Sequence, residues 1–153
     1  MLFRSLVDID KSAADLVTLK DAAKTQGREG MEIFTSAYVV CRPTADEAQA
    51  YHRRYAIDQA DWEGVERVMT LQGLHTQGRP PELQQKFRER FAGGHGVFPL
   101  IGTPDDVADG LARIAAAGFS GVALGFLDYE RELPYFVETV LPRLRERGLR
   151  QAA

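Results

Sequence analysis

An α/β fold built on parallel strands is what this sequence predicts, and three observations predict it. The first is a double change of period: a short apolar run, Val97–Ile101, gives way to Val107, Leu111 and Ile114 at helical spacing, and then to a second short apolar run, Val122–Leu124. The second is the punctuation between them. Gly102 stops the first run, Thr103 stands as N-cap with Pro104 at the first helical position and Asp105 and Asp106 in the positive first turn, and Gly118 is placed to end the helix in the left-handed conformation. The third is that Val122-Ala-Leu124 does not alternate, as expected of a strand covered on both faces in a parallel sheet. Gly125 and Phe126 then fall at the carboxyl end of that strand, where α/β proteins place their ligands.

From the start, Met1–Ser5 fits poorly as the opening of a domain, and Leu6–Ile9 reads as the first strand. Ser12, with Asp15 three residues on, reads as the cap of a helix whose stripe is Leu16, Leu19 and Ala23, ending near Gly27. Met31–Cys41 is the longest strand candidate, with Phe34, Ser36, Tyr38 and Val40 on one face and Ile33, Thr35, Ala37, Val39 and Cys41 on the other. Pro43 stops it, and Thr44 with Glu47 forms a capping box that opens a helix to about Asp58. Residues 59–94 hold no strand pattern. They read as a helical insertion, Ala60 to about Leu71 and Pro81–Phe91, around a Gly- and Pro-containing loop, and an insertion of this length is a lid or a surface embellishment. The last helix carries the wide stripe Leu133, Phe136, Val137, Val140, Leu141 and Leu144, with Pro142 set to kink it or begin a new turn.

A length of 153 residues is one domain's worth, and the net charge of −3 offers no electrostatic footprint for nucleic acid or an anionic membrane. No apolar run approaches the roughly 20 residues of a membrane span. The lone Cys41 has no partner for an internal disulfide, which fits a cytoplasmic location, and its parity makes it a buried structural thiol rather than a nucleophile. His52, His75 and His95 lack metal-ligand spacing, and no metal site is expected. Gly93-Gly-His-Gly96 does not lead from a strand into a helix, so it is neither a dinucleotide fingerprint nor a phosphate loop.

Ile101-Gly-Thr-Pro-Asp-Asp-Val-Ala-Asp109, Ala117-Gly-Phe119, Leu124-Gly-Phe-Leu-Asp-Tyr129, Leu133-Pro-Tyr-Phe136 and Val140-Leu-Pro142 together resemble the carboxyl end of the bacterial-luciferase-like flavin monooxygenases, nearest the dimethyl-sulfone and alkanesulfonate monooxygenase type. Tyr38-Val-Val-Cys-Arg-Pro-Thr44 resembles that family's sixth strand and the start of the following helix. The resemblance implies a partial (β/α)8 barrel. A complete one needs about 200 to 250 residues, so the chain is expected to be its carboxyl-terminal half, about four βα units. It also implies reduced FMN and oxygen acting on a small organic substrate of organosulfur type, with a flavin reductase supplying the FMN; the edges a half-barrel leaves open, at Leu6–Ile9 and Val122–Phe126, predict a homo-oligomer. A deazaflavin-dependent (F420) oxidoreductase of the same fold and a non-catalytic half-barrel interaction module are the alternatives.

On that resemblance the family commonly has histidine where this chain has Tyr38, and sometimes arginine where it has Ser36. Tyr38 still carries a hydroxyl that can donate, but it is no imidazole base near neutral pH; the alternative is a barrel-filling aromatic with its hydroxyl on backbone. His95, flanked by glycines, is expected near the barrel mouth, against the plainer reading of a solvated loop residue. Gly125 and Phe126 are expected to line the pocket, although core packing would also account for Phe126. The family's flavin-phosphate stretch, rich in glycine and serine, has no match here.

Overall fold

The computed structural model describes residues 1–74 and 80–150, and His75 with most of the expected interhelical loop lies outside them. The longest strand is the hub. Strand β2 (Ile33–Cys41) pairs in parallel with β1 (Leu2–Phe3), β3 (Phe98–Gly102) and β4 (Gly121–Gly125). Phe34 stands opposite both Phe3 and Gly121, and Tyr38 opposite both Pro99 and Gly125. Since a strand has two edges, β1 and β3 follow one another along one edge of β2, and β4 occupies the other. Four βα units are present, as expected, but β4 neighbours β2 rather than β3.

Helix α1 (Ile9–Thr25) follows β1, α2 (Ala45–Arg53) follows β2, α5 (Pro104–Ala116) follows β3 and α6 (Tyr129–Glu146) follows β4. Between α2 and β3 come a π-helical turn (Arg54–Asp58), α3 (Trp62–Leu71) and α4 (Pro81–Gly94). The capping chemistry accounts for most of these starts. Thr44 and Thr103 each accept from the backbone of the third helical residue, whose own carboxylate returns to the cap N–H, closing both capping boxes. Gly118, at φ +104, ends α5, and Lys20 donates to its carbonyl at 2.6 Å.

Three expectations are corrected. The first strand is Leu2–Phe3, inside the stretch set aside as a poor opening, tied by Leu2 N–H to Glu32 O and Arg4 N–H to Phe34 O. Leu6–Ile9 is instead the approach to α1, whose cap is Asp8 and not Ser12: the Asp8 carboxylate accepts from Lys11 N–H at 2.9 Å, while Ser12 is buried in the first turn. Helix α6 runs through Pro134 and through Pro142, the residue expected to kink it or begin a new turn.

The two faces of β2 separate as the alternation predicts. Ile33, Ala37, Val39 and Cys41 join Val107, Leu111 and Ile114 of α5 and Phe136, Val140 and Leu144 of α6 in the main core. Tyr38 and Val40 face the other way, toward Ala48, Tyr51 and Tyr55. Leu133 and Val137 of the α6 stripe remain exposed, beside Phe3 and the outer edge of β4.

Candidate functional site

Three successive residues on the inner face of β2, Phe34, Ser36 and Tyr38, lie beside Gly121, Ala123 and Gly125 of β4. In a parallel pair, neighbours in register share a face. The inner face of β4 therefore offers only hydrogens and a methyl group, while its Val122 and Leu124 pack outward against the main core. The expectation of a strand covered on both faces fails here, since Ala123 is exposed. The missing bulk leaves a groove of about 540 Å³, floored by Ser36, Tyr38, Ala123 and Gly125 and walled by Phe91, Gly93, Gly94 and His95 of the α4 end.

Helix α4 closes on this floor because its last two residues, Gly93 and Gly94, have no side chains. A Cβ on Gly93 would stand 2.8 Å from the Tyr38 hydroxyl and 2.9 Å from His52 Nε2, and one on Gly94 would land on the Tyr38 ring. Arg90 fastens the same helix from outside, donating to Leu6 O at 2.8 Å and Val7 O at 3.1 Å. Beneath the glycines, the Tyr38 hydroxyl and His52 Nε2 share a 2.9 Å hydrogen bond, with the two rings stacked at 5.8 Å. Burial pushes the phenol up to about 12, outweighing Arg90, and burial lowers His52 from its ordinary value against the opposing pull of Glu89. Both shifts favour a neutral pair in which the phenol donates and Nε2 accepts. The Tyr38 hydroxyl is thus satisfied by a side chain and not by backbone.

A second cluster fixes the rim. Glu132, buried in the first turn of α6, accepts from Arg42 Nη2 at 2.6 Å through one carboxylate oxygen and from the backbone N–H groups of Leu127 and Asp128 at 3.0 and 3.1 Å through the other. The Arg42 guanidinium also lies 3.8 Å from the Tyr51 ring centroid. One carboxylate therefore holds the loop after β4, whose Leu127 lines the groove, to the end of β2.

Of the five residues singled out in the sequence, all line this groove. Ser36 and Gly125 lie on its floor, and Gly125 has only Ala37 O and Tyr129 Oη near its absent side chain, both at 3.9 Å. His95 is exposed, adopts φ +56 as the C-cap of α4 and stands with Nε2 3.4 Å from Gln72 Nε2. Phe126 packs edge-on against Phe136 and Tyr129 while bordering the groove. His52, Arg42 and Glu132 were missed. His52 lies in an ordinary helix, and Arg42 and Glu132 are 90 residues apart, so no local pattern announces either pairing. Cys41 is buried with its thiol pushed up to about 11 by burial, the state of a structural cysteine. Among the described residues no cluster of His, Cys, Asp or Glu is arranged to hold a metal, and no helix is long and apolar enough to cross a membrane.

The groove's lining is largely aliphatic, aromatic and glycine, with single hydroxyls and an imidazole, and contains no lysine or arginine. Such a surface fits a flat aromatic ring system or a small organic molecule. It holds no cation for a phosphate.

Comparison with known proteins gives a consistent answer. The family model described as luciferase-like monooxygenase matches residues 1–121. An FMNH2-dependent dimethylsulfone monooxygenase of Pseudomonas fluorescens is 30% identical over 141 residues, covering 89% of this chain and 38% of the relative. The chain thus spans 38% of that relative's length, which is not the carboxyl-terminal half expected from the motifs. Among solved structures, DmoA from Hyphomicrobium sulfonivorans superposes with a TM-score of 0.79 at 22% identity, over 99% of this chain and 38% of that one. A riboflavin lyase with modified FMN and riboflavin superposes at 0.78 and 21%, over 99% and 39%. Both likenesses show the fold, four βα units of a larger barrel.

Proposed function

The chain belongs to the luciferase-like monooxygenase family, and within it we propose that it forms one wall of the active site of an FMN-dependent monooxygenase that uses reduced FMN and oxygen to oxygenate a small organic, organosulfur-type substrate. The observation that carries the reading is the groove between β2 and β4, with its trough of small residues at the carboxyl side of the sheet. When bound, reduced flavin supplies the electrons for oxygen activation, and the protein supplies position and dryness.

In this reading Gly125 and Ala123 admit a ring edge-on to the sheet, and Phe126 and Leu127 exclude water from one side. Ser36 offers a hydroxyl at the floor. The Tyr38 phenol, kept protonated and donating to His52 Nε2, presents its ring to the floor, and His95 offers an imidazole at the opening. Glu132 and Arg42 keep the Leu127 loop in place. The phosphate is held by residues outside this groove, because nothing in its lining is cationic. A flavin reductase supplying reduced FMN, a cytoplasmic setting in keeping with lone Cys41, and self-association across the exposed flank of Phe3, Leu133 and Val137 complete the proposal.

The test compares lumiflavin, which is the ring without the ribityl phosphate, with FMN by fluorescence titration of the chain. We expect both to bind with affinities within about threefold, and FMN to be lost on desalting. Absence of ring binding would overturn the assignment of the groove. FMN held tenfold more tightly than lumiflavin would overturn the division between ring wall and phosphate holder.

A further inference from the structure

Behind the groove lies a smaller cleft of about 260 Å³, formed between the π-helical turn, α3 and α4. The two spaces have a common wall: Tyr55, Phe91, Ala92 and His95 line both. On the far side the cleft is faced by Ala60, Val65 and Val68, an apolar strip from α3 and the chain before it, with Gln59 and Asp61 at its border. Nothing in the family reading of the groove requires this second space, which is built from the helical insertion.

Tyr55 is the part of the common wall with the most evident means of being held. It sits on the π-helical turn, where one extra residue per turn re-aims the side chains that follow. Its hydroxyl donates to Gly93 O at 3.0 Å, a carbonyl of the last turn of α4, and its ring meets His52 edge-on and Tyr51 at a tilt, each with centroids 5.5 Å apart. Burial raises its phenol well above the ordinary tyrosine range, so the hydroxyl remains a donor throughout the neutral range. The ring therefore stands fixed between the two spaces, latched to the α4 end that forms the groove wall.

We propose that Tyr55 is the partition between the groove and an apolar-tail subsite in the cleft, and that it sets the length of the organic chain the groove accepts. The proposal rests on the reading that the groove takes the organic substrate. With Tyr55 in place the groove takes a compact molecule. With the ring removed, an alkyl chain anchored in the groove extends past Phe91 into the space before Val65 and Val68. A pocket distinguishes each added methylene by about tenfold or more when it has room for it.

The experiment is calorimetric titration of the chain with dimethyl sulfone and methyl octyl sulfone, in the wild type, in Tyr55→Ala and in Tyr55→Ala combined with Val68→Trp. Tyr55→Ala should shift the affinity ratio toward methyl octyl sulfone by at least tenfold, and Val68→Trp, which fills the cleft without touching the groove, should reverse that shift. A ratio unchanged in Tyr55→Ala, with dimethyl sulfone still bound, overturns the partition and leaves the groove reading standing. No sulfone binding to any form, in protein whose circular dichroism matches wild type, overturns both. Tyr55→Leu, shorter but still apolar, carries the same comparison should Tyr55→Ala not fold.

Discussion

On the outer face of β2, Ile33, Thr35, Ala37, Val39 and Cys41 are all buried beneath α5 and α6, and the only polar group among them, the Thr35 hydroxyl, has no hydrogen-bond partner among the described residues. On the inner face, Tyr38 and Val40 are as deeply buried, but beneath a helix end stripped to two glycines, and the polar group there is bonded to His52. The outer face is a core that tolerates a wasted hydroxyl because packing dominates. The inner face gives up packing volume to keep a paired phenol and imidazole beside an open groove. That contrast separates a face built for stability from one available for binding.

The strongest challenge to it is a cavity on the outer face. Ile114 is fully buried against β2, so Ile114→Ala should lose about 2 to 5 kcal/mol in chemical denaturation and leave lumiflavin affinity within twofold. A loss below 1 kcal/mol would show that α5 is not the stabilising layer. On the inner face, Gly94→Ala puts a methyl group into the Tyr38 ring and must lift α4; overpacking of this kind costs about 1 to 3 kcal/mol. Here ring binding should weaken at least tenfold, because α4 is the groove wall. Unchanged binding would mean that the α4 end does not shape the site.

The smallest effect is a pH dependence confined to the inner face. His52 is depressed by burial, so the unfolded chain binds its proton more readily, and stability falls as pH drops through the unfolded value near 6.5. Glu89 opposes this shift, and Tyr38 and Tyr55, which face the ring, remain neutral in the window. Between pH 7 and 5.5 the thermal midpoint of the wild type should fall more than that of His52→Gln, which leaves His75 and His95 in place. Equal slopes would remove His52 from the buried pair.

How much of this was legible follows from the range over which each signal acts. The capping boxes at Thr44 and Thr103, the end of α5 at Gly118 and the two faces of β2 are set by residues within a few positions of one another, where backbone hydrogen bonding and side-chain period decide the outcome. The mostly apolar stretch Leu6–Ile9 was misread for the same reason. An apolar stretch does not say whether it will pair or pack, and it was the partner at Ile33–Phe34 that selected Leu2–Phe3 as the strand.

By itself, then, the sequence determined the α/β class, the order of most helices and strands, the family, and the row of small residues at Gly121, Ala123 and Gly125. Only the tertiary structure decided that β4 lies beside β2, which turns that row into a groove floor. It also decided that His52 reaches Tyr38, that Glu132 clamps Arg42 across 90 residues, and that Tyr55 stands between two cavities. Local sequence fixes what a segment can bury. Which segments meet depends on closing long loops around a shared core, a cost met by the whole set of contacts and written in no single stretch.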